Sequence, residues 1–286
     1  MTFSFKSLLR FTCTILVLCV LSGCLSPLPS SSKRLHIDEA IILPSLLSET
    51  SGLFCADDYV LSINDSGNAP AVFKVSYSGK LQQTLTLPIK NNDWEAVSAD
   101  ADYLYVADIG NNKGQREEVA VYKVNQQNVK DIKTLSIKYA ANNVNSNIPY
   151  AHDYDAEAMV KKGNELLLFS KSWSSGITHV YRINEGESLQ VLSPFASISG
   201  LPGVVTGADY DSIKQQYVIV GYKSDPFGNF AAFIAEVSKD FTLTNIWPLE
   251  GYKQVEGVCV DKRGNYWFTE EKTENREASL TKAFVL

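Results

Sequence analysis

The side chains best placed for chemistry are acidic, and they recur. Glu95, Glu157 and Glu256 each precede a tiny residue and then an apolar one, as Glu95-Ala96-Val97, Glu157-Ala158-Met159 and Glu256-Gly257-Val258. Asp93 and Asp155 stand two residues before the first two glutamates, and in extended chain positions i and i+2 project to the same side. Carboxylates gathered in one place repel, which raises their pKa values unless a cation sits between them. Calcium takes about six to eight oxygen ligands. Glu95, Glu157, Glu256, Asp93, Asp155 and Asp108 are therefore the candidate Ca2+ ligands, and Trp94, Asn111, Arg116, Lys171, Tyr222 and Glu270 the candidate binding groups around them. The competing reading is a solvated acidic mouth in which Lys171 and Arg116 act as internal counter-ions.

Other chemistries find less support. His152 precedes the third acidic position and is a loop histidine without an obvious partner, while His36 and His179 fall in outer segments. No cysteine and histidine spacing suits zinc. There is no Gly-x-Ser-x-Gly elbow and no phosphate loop. Trp173, Trp247 and Trp267 are expected in the core, with Trp94 and Tyr222 nearest the mouth. No nucleophile and base pair can be named.

The elements that must carry these residues are short and alternating. Runs such as Tyr59–Ile63, Tyr103–Val106 and Tyr217–Val220 are rich in Val, Ile, Tyr and Phe and are bounded by Gly, Asn, Asp and Ser, which are strand signals. No stretch sustains a helical period over three turns. The acidic element has two hydroxyl counterparts, Ser51-Gly52-Leu53 and Thr206-Gly207-Ala208, so five starts lie 44, 62, 49 and 50 residues apart. Each is followed by a second and a third strand. A fourth follows in four units, as Leu81–Leu87, Ile132–Tyr139, Leu189–Leu192 and Phe241–Trp247. Units of this length with four strands are the signature of β-propeller blades. The expected fold is all-β, a propeller of five four-stranded blades spanning residues 34–286.

The tiny residue suits the innermost strand, where blades crowd the axis. The last unit runs out of chain after three strands, and Leu35–Leu43 belongs to no unit. That N-terminal strand is expected to pair with the last blade and close the ring, which removes exposed edges. A pair of β-sandwiches is the alternative. In a propeller the loops entering the inner strands and the loops between second and third strands share one face, so Asn64, Asp65, Asn112 and Glu271 join the mouth. The Asn-rich segment 142–150 is expected as a flap beside it.

Residues 1–23 have a positive start (Lys6, Arg10), an apolar run over Phe11–Leu21, and then Leu21-Ser22-Gly23-Cys24. The run is short for a finished membrane anchor and suits a signal peptide. The four residues ending at Cys24 resemble the bacterial lipobox, which implies cleavage before Cys24 and its acylation with diacylglycerol and a chain such as palmitate. Lipid chains hold a protein at a membrane by about 0.8 kcal/mol per buried CH₂. By resemblance to enterobacterial lipoproteins, the absence of aspartate after Cys24 favours the outer membrane where the cell envelope has two. Residues 24–33, rich in Pro and Ser, are expected to form the lipidated tether. Loss of the signal leaves 24 basic against 32 acidic side chains, a formal charge of −8. With no basic run, nucleic acid is not an expected partner. Cys55 and Cys259 alone remain for the folded domain, either bridged across neighbouring blades or as two buried thiols.

Asp93-Trp94-Glu95-Ala96-Val97, followed by Ala107-Asp108-Ile109-Gly110-Asn111-Asn112 and Arg116, resembles a segment of bacterial propellers of the gluconolactonase/NHL-like and phytase-like groups. The likeness covers one blade strongly and the others as a pattern. It implies either metal-dependent lactone or phosphoester hydrolysis or binding without turnover. The sequence departs from the lactonases in blade number, and their catalytic aspartate has no counterpart here. Two functions are therefore expected in competition. One is an envelope binding or scaffolding module presenting the mouth to a protein, peptide, glycan or small molecule. The other is a divalent-cation-dependent hydrolase.

Overall fold

The computed structural model describes residues 33–225 and 227–286; Cys24 and the signal segment lie outside the described residues. The chain is a ring of five antiparallel blades, as expected. Blade one contains β3 (Thr50–Cys55), β4 (Tyr59–Asn64), β5 (Ala71–Ser76) and β6 (Leu81–Thr86). Blade two contains β7 (Trp94–Ala99), β8 (Tyr103–Asp108), β9 (Val119–Asn125) and β10 (Ile132–Tyr139). Blade three contains β11 (Ala156–Lys162), β12 (Glu165–Ser170), β13 (Thr178–Ile183) and β15 (Ala196–Ile198). Blade four contains β16 (Val204–Asp211), β17 (Gln216–Ser224), β18 (Phe230–Ser238) and β19 (Leu243–Pro248). Blade five contains β20 (Val255–Val260), β21 (Tyr266–Glu270) and β22 (Ser279–Val285).

The ring closes as the unpaired N-terminal strand requires. β1 (Leu35–Ile37) and β2 (Ile41–Ile42) both pair antiparallel with β22. Cys55 on β3 and Cys259 on β20 are disulfide-bonded across the same seam, with Cα atoms 5.4 Å apart. The bridge therefore joins the first and last blades directly.

One strand differs from expectation. β14 (Leu189–Leu192) is not the outer strand of blade three but pairs in parallel with β10 as a fifth strand of blade two. β10 is eight residues long and would otherwise leave an open edge; covering it removes a template for unwanted pairing. The chain then turns back, and β15 completes blade three.

The buried apolar residues divide into five clusters, one in each seam between adjacent blades. A β-branched and aromatic face on each sheet thus packs against the next sheet rather than on a common centre. The centre is instead crowded by backbone. Gly52 has φ +46°, and a Cβ there would stand 2.8 Å from Ala96 Cα on the neighbouring inner strand.

Each inner strand slips one residue against its second strand, in four blades at the residue before the tiny one and in blade one a step later, at Gly52. The slips lie between Ser51 and Leu53, Trp94 and Ala96, Ala156 and Ala158, Val205 and Gly207, and Val255 and Gly257. A β-bulge re-aims the side chain of its extra residue. In blades two, three and five that extra residue is Glu95, Glu157 or Glu256. Strand ends opposite the slips, such as Asp108 and Glu270, lie at the same end of the ring. β1 enters at the other end, where Leu35 faces Val285.

Candidate functional site

The three bulge glutamates converge on an axial pocket of about 170 Å³. Its walls include Glu95, Glu157, Glu256, Asp65, Glu271, Lys171, Tyr222 and Trp173. Glu95, Glu157 and Glu256 are all buried, as is Lys171. Lys171 Nζ lies 2.5 Å from Glu157 Oε1 and 3.3 Å from Tyr222 Oη. Its ammonium also sits 4.8 Å from the Trp173 ring centroid. Burial opposes a charge on Lys171, but Glu157, Tyr222, Glu256 and Asp155 around it hold its pKa well above the usual lysine value. It is an ammonium ion at neutral pH and not a free nucleophile.

The acids are not balanced by that one cation. Burial, with repulsion from Glu157, Asp65 and Asp93, pushes Glu95 well above the ordinary glutamate value. Burial raises Glu157 strongly despite Lys171. Burial likewise lifts Glu256 to about 8, with Glu271 adding repulsion. Glu271 itself is pushed up to about 8 by burial and by Asp65, Glu157 and Glu49.

A second grouping lies beside the pocket. Asp65, Asp93 and Glu95 offer carboxylate oxygens all within 4.8 Å of one another. Asp65 comes from the β4–β5 loop and the other two from the start of β7. Asp93 is raised to about 6 by burial and the nearby Asp65. Gly110 makes this approach possible, because a Cβ there would collide with the carboxylates of Asp93 and Glu95. Among the described residues no basic side chain bonds any of the three; Glu95 receives only the Ser51 hydroxyl, at 3.3 Å. Hard oxygen donors of this kind suit calcium or magnesium.

The remaining expected residues distribute around this centre. Asp155 accepts Asn111 N–H at 2.6 Å and Trp173 Nε1–H at 2.8 Å; burial raises its pKa against these bonds and Lys171. Asp108 is fully committed elsewhere, to Arg116 at 2.6 Å and the Asn92 amide at 2.8 Å. Arg116 also donates to Gly110 O at 2.6 Å, so it braces the loop under the acidic corner. Asn111 Nδ2 donates to Tyr154 O at 2.9 Å and ties that loop to blade three. Glu270 accepts Lys253 N–H and Arg276, both at 2.7 Å, outside the pocket wall. Asp108, Asn111, Arg116 and Glu270 are thus scaffolding around the pocket.

Two aromatic assignments are exchanged. Trp94 is buried in the seam between blades one and two, donating Nε1–H to Lys90 O at 3.2 Å. It precedes the bulged Glu95 and projects from the other side of the strand. Trp173, expected in the core, lines the pocket. Asp65 and Glu271 lie where the second loops were expected to face the mouth, but neither type nor spacing marked them as partners of the glutamates. His152 Nε2–H donates to Asn112 O, 3.3 Å away, and its Nδ1 accepts Tyr154 N–H; it does not line the pocket. Segment 142–150 lies beside the mouth, held by Tyr150 N–H on Asn112 O and Asn147 on Gly114 O, both at 2.9 Å.

No family profile matches this chain, and no curated protein matches it in sequence. Among solved structures it is similar to a luciferin-regenerating enzyme, with a TM-score of 0.48 and 11% identity, covering 82% of this chain and 77% of that one. A chain described as an oxidoreductase (glucose dehydrogenase) from Thermus thermophilus gives 0.47 and 11%, covering 88% and 100%. A protein of unknown function from Bacteroides caccae gives 0.45 and 10%, covering 79% and 72%. The neighbours include enzymes, but likeness at this level carries nothing about activity or ligand.

Proposed function

We propose that this protein is a lipid-anchored envelope lipoprotein whose propeller is a ligand-binding module, with the axial acidic pocket as its site and a divalent cation, calcium by preference, at Asp65, Asp93 and Glu95. The observation that carries the cation is the meeting of three carboxylates from two blades while Lys171 is engaged by Glu157. A cation there would offset the repulsion that raises Asp93 and Glu95. Thermal melts in chelator and in calcium test it. Calcium at about a hundredfold its Kd should add about 2.7 kcal/mol of stability, and Asp93→Asn with Glu95→Gln should abolish the shift. A wild type indifferent to calcium, magnesium and manganese would leave the solvated acidic mouth in place.

The anchor is tested separately. Cys24→Ala should release the protein from membranes, and in a cell with two membranes the wild type should fractionate with the outer one. Among the described residues no helix is long and apolar enough to cross a membrane.

A hydrolase of lactones or phosphate esters is the second reading. It is favoured by Glu256 and Glu271, whose values of about 8 let a carboxyl exchange protons near neutral pH. Calcium-dependent turnover of a lactone or phosphate-ester panel, lost in Glu256→Gln, would select it over binding alone.

A further inference from the structure

The axial pocket does not end at its own walls. A groove of about 660 Å³ between blades three and four opens onto it and shares Tyr150, Trp173, Tyr222 and Gln254 with it. Two edge-to-face aromatic pairs line this groove. Tyr150 and Trp173 have centroids 5.5 Å apart, and Tyr222 and Phe230 have theirs 5.2 Å apart. Leu201 and Pro202 also line it. The groove is therefore mostly apolar, with the charges of Lys223 and Asp225 on its wall offsetting each other, and it opens onto the acids of the axial pocket at its inner end.

The acids at that inner end form three groups with different needs. Asp65, Asp93 and Glu95 suit a metal ion. Glu157 has Lys171. Glu256 and Glu271 have no ion pair among the described residues; Glu256 receives the Tyr222 hydroxyl and Glu271 the Gln254 amide, the latter at 3.0 Å. Gln254 and Tyr222 border both the groove and the axial pocket that holds this last pair of acids, so a molecule lying in the groove has a path to Glu256 and Glu271 along the Gln254 side, opposite the Trp173 and Tyr222 faces that Lys171 occupies.

We infer that the ligand of this site is a small amphipathic cation, with an apolar or aromatic body in the groove between blades three and four and an ammonium group against Glu256 and Glu271. Charge complementarity selects it. An anionic end would face uncompensated carboxyls, and a neutral end would leave their mutual repulsion in place. This inference rests on the proposed binding role of the pocket and specifies its ligand class.

The test uses three probes of one shape: 4-phenylbutylamine, 4-phenylbutanol and 4-phenylbutanoate, followed by tryptophan fluorescence and calorimetry with the full chain. The amine should bind at least about tenfold more tightly than the alcohol, a difference of one desolvated charge contact, and the carboxylate should not bind. Phe230→Ala, which alters the groove and not the axial pocket, should weaken the amine several-fold and leave the calcium shift unchanged. Glu256→Gln should bring the amine down to the alcohol's affinity. Equal binding of amine and alcohol, or amine binding that Phe230→Ala leaves intact, overturns the inference. Absence of amine binding in a protein that calcium still stabilises overturns it too, while leaving the cation site standing. Loss of both responses would remove the binding role itself.

Discussion

Both ends of the ring bury carboxylates, and they treat them in opposite ways. At the end remote from the pocket, Glu185 receives Lys123, Lys161 and the Tyr105 hydroxyl. Together these outweigh burial and hold its pKa below the ordinary value. Glu236 is likewise lowered against its burial, by hydrogen bonds from Tyr266 and Asn245 and by Lys214. Asp209 is the exception there, raised to about 7 by burial. At the pocket end Glu95, Glu157, Glu256, Glu271 and Asp93 are all raised. One end is a finished electrostatic structure, and the other keeps room for charge it does not itself supply. Uncompensated buried acid is costly, and its concentration at one end is the ground on which the site is proposed there.

The largest effect expected from this contrast is at Lys171. Among the described residues it is the only cation bonded to a carboxylate of the pocket wall. Lys171→Met removes it and should cost about 3–5 kcal/mol at pH 8. The loss should shrink toward pH 5, because Glu157, whose pKa is raised already, takes a proton instead of remaining a bare charge. Denaturant melts at the two pH values measure this. A loss independent of pH would mean that Lys171 acts by packing alone.

A comparable effect should appear in the wild type without any mutation. An acid whose folded pKa exceeds its unfolded value binds more protons when folded, so stability falls as pH rises through that window. For Glu256 and Glu271 the window runs from the usual glutamate range up to about 8. In chelator the protein should lose on the order of 3 kcal/mol between pH 5 and pH 8. Saturating calcium should flatten that slope, chiefly through Asp93 and Glu95. A slope that calcium leaves untouched would separate the acidic pocket from metal binding.

Glu185→Gln is the control at the other end. Lys161 and Lys123 lose their shared partner, and the cost should be about 1–3 kcal/mol at pH 7. The sign of its pH dependence is reversed. The folded pKa of Glu185 is depressed, so its contribution is present above the usual glutamate value and vanishes as pH falls through the folded one. Calcium should not alter this variant's deficit.

The ring itself is legible in the sequence because it is periodic. The recurrence of a polar residue, a tiny one and an apolar one marks five inner strands, and the chain's unpaired first strand requires closure on the last blade. The cysteines are legible only as candidates; bridging depends on how far apart two inner strands stand at their seam. What is not legible depends on single steps of register. Trp94 and Glu95 are neighbours, yet a bulge places one on the axis and leaves the other in a seam, and no residue type announces a bulge. Leu189–Leu192 reads as a strand whichever blade it joins. Asp65 and Glu271 require loop paths in three dimensions: Asp65 meets Asp93 and Glu95 from the preceding blade, and Glu271 meets Glu157 across the axis.

The smallest effect tests why two of the five repeat positions that could carry a glutamate carry a hydroxyl instead. Ser51 donates its hydroxyl to Glu95 O at 3.0 Å, and Thr206 donates to Val255 O at 2.5 Å. Each therefore ties its inner strand to the next blade's, at the repeat position where the other three blades carry glutamates. Thr206→Val keeps the shape and removes only that bond, so the loss should be about 1 kcal/mol, or roughly 2–4 °C in Tm for a domain of this size. The calcium shift, the pH slope and the response to 4-phenylbutylamine should all be unchanged, because Thr206 closes a seam and contributes nothing to the charge of the pocket. If the valine variant instead altered calcium affinity, the five repeat positions would form one coupled ring, and the division between structural hydroxyls and pocket-facing acids would fail.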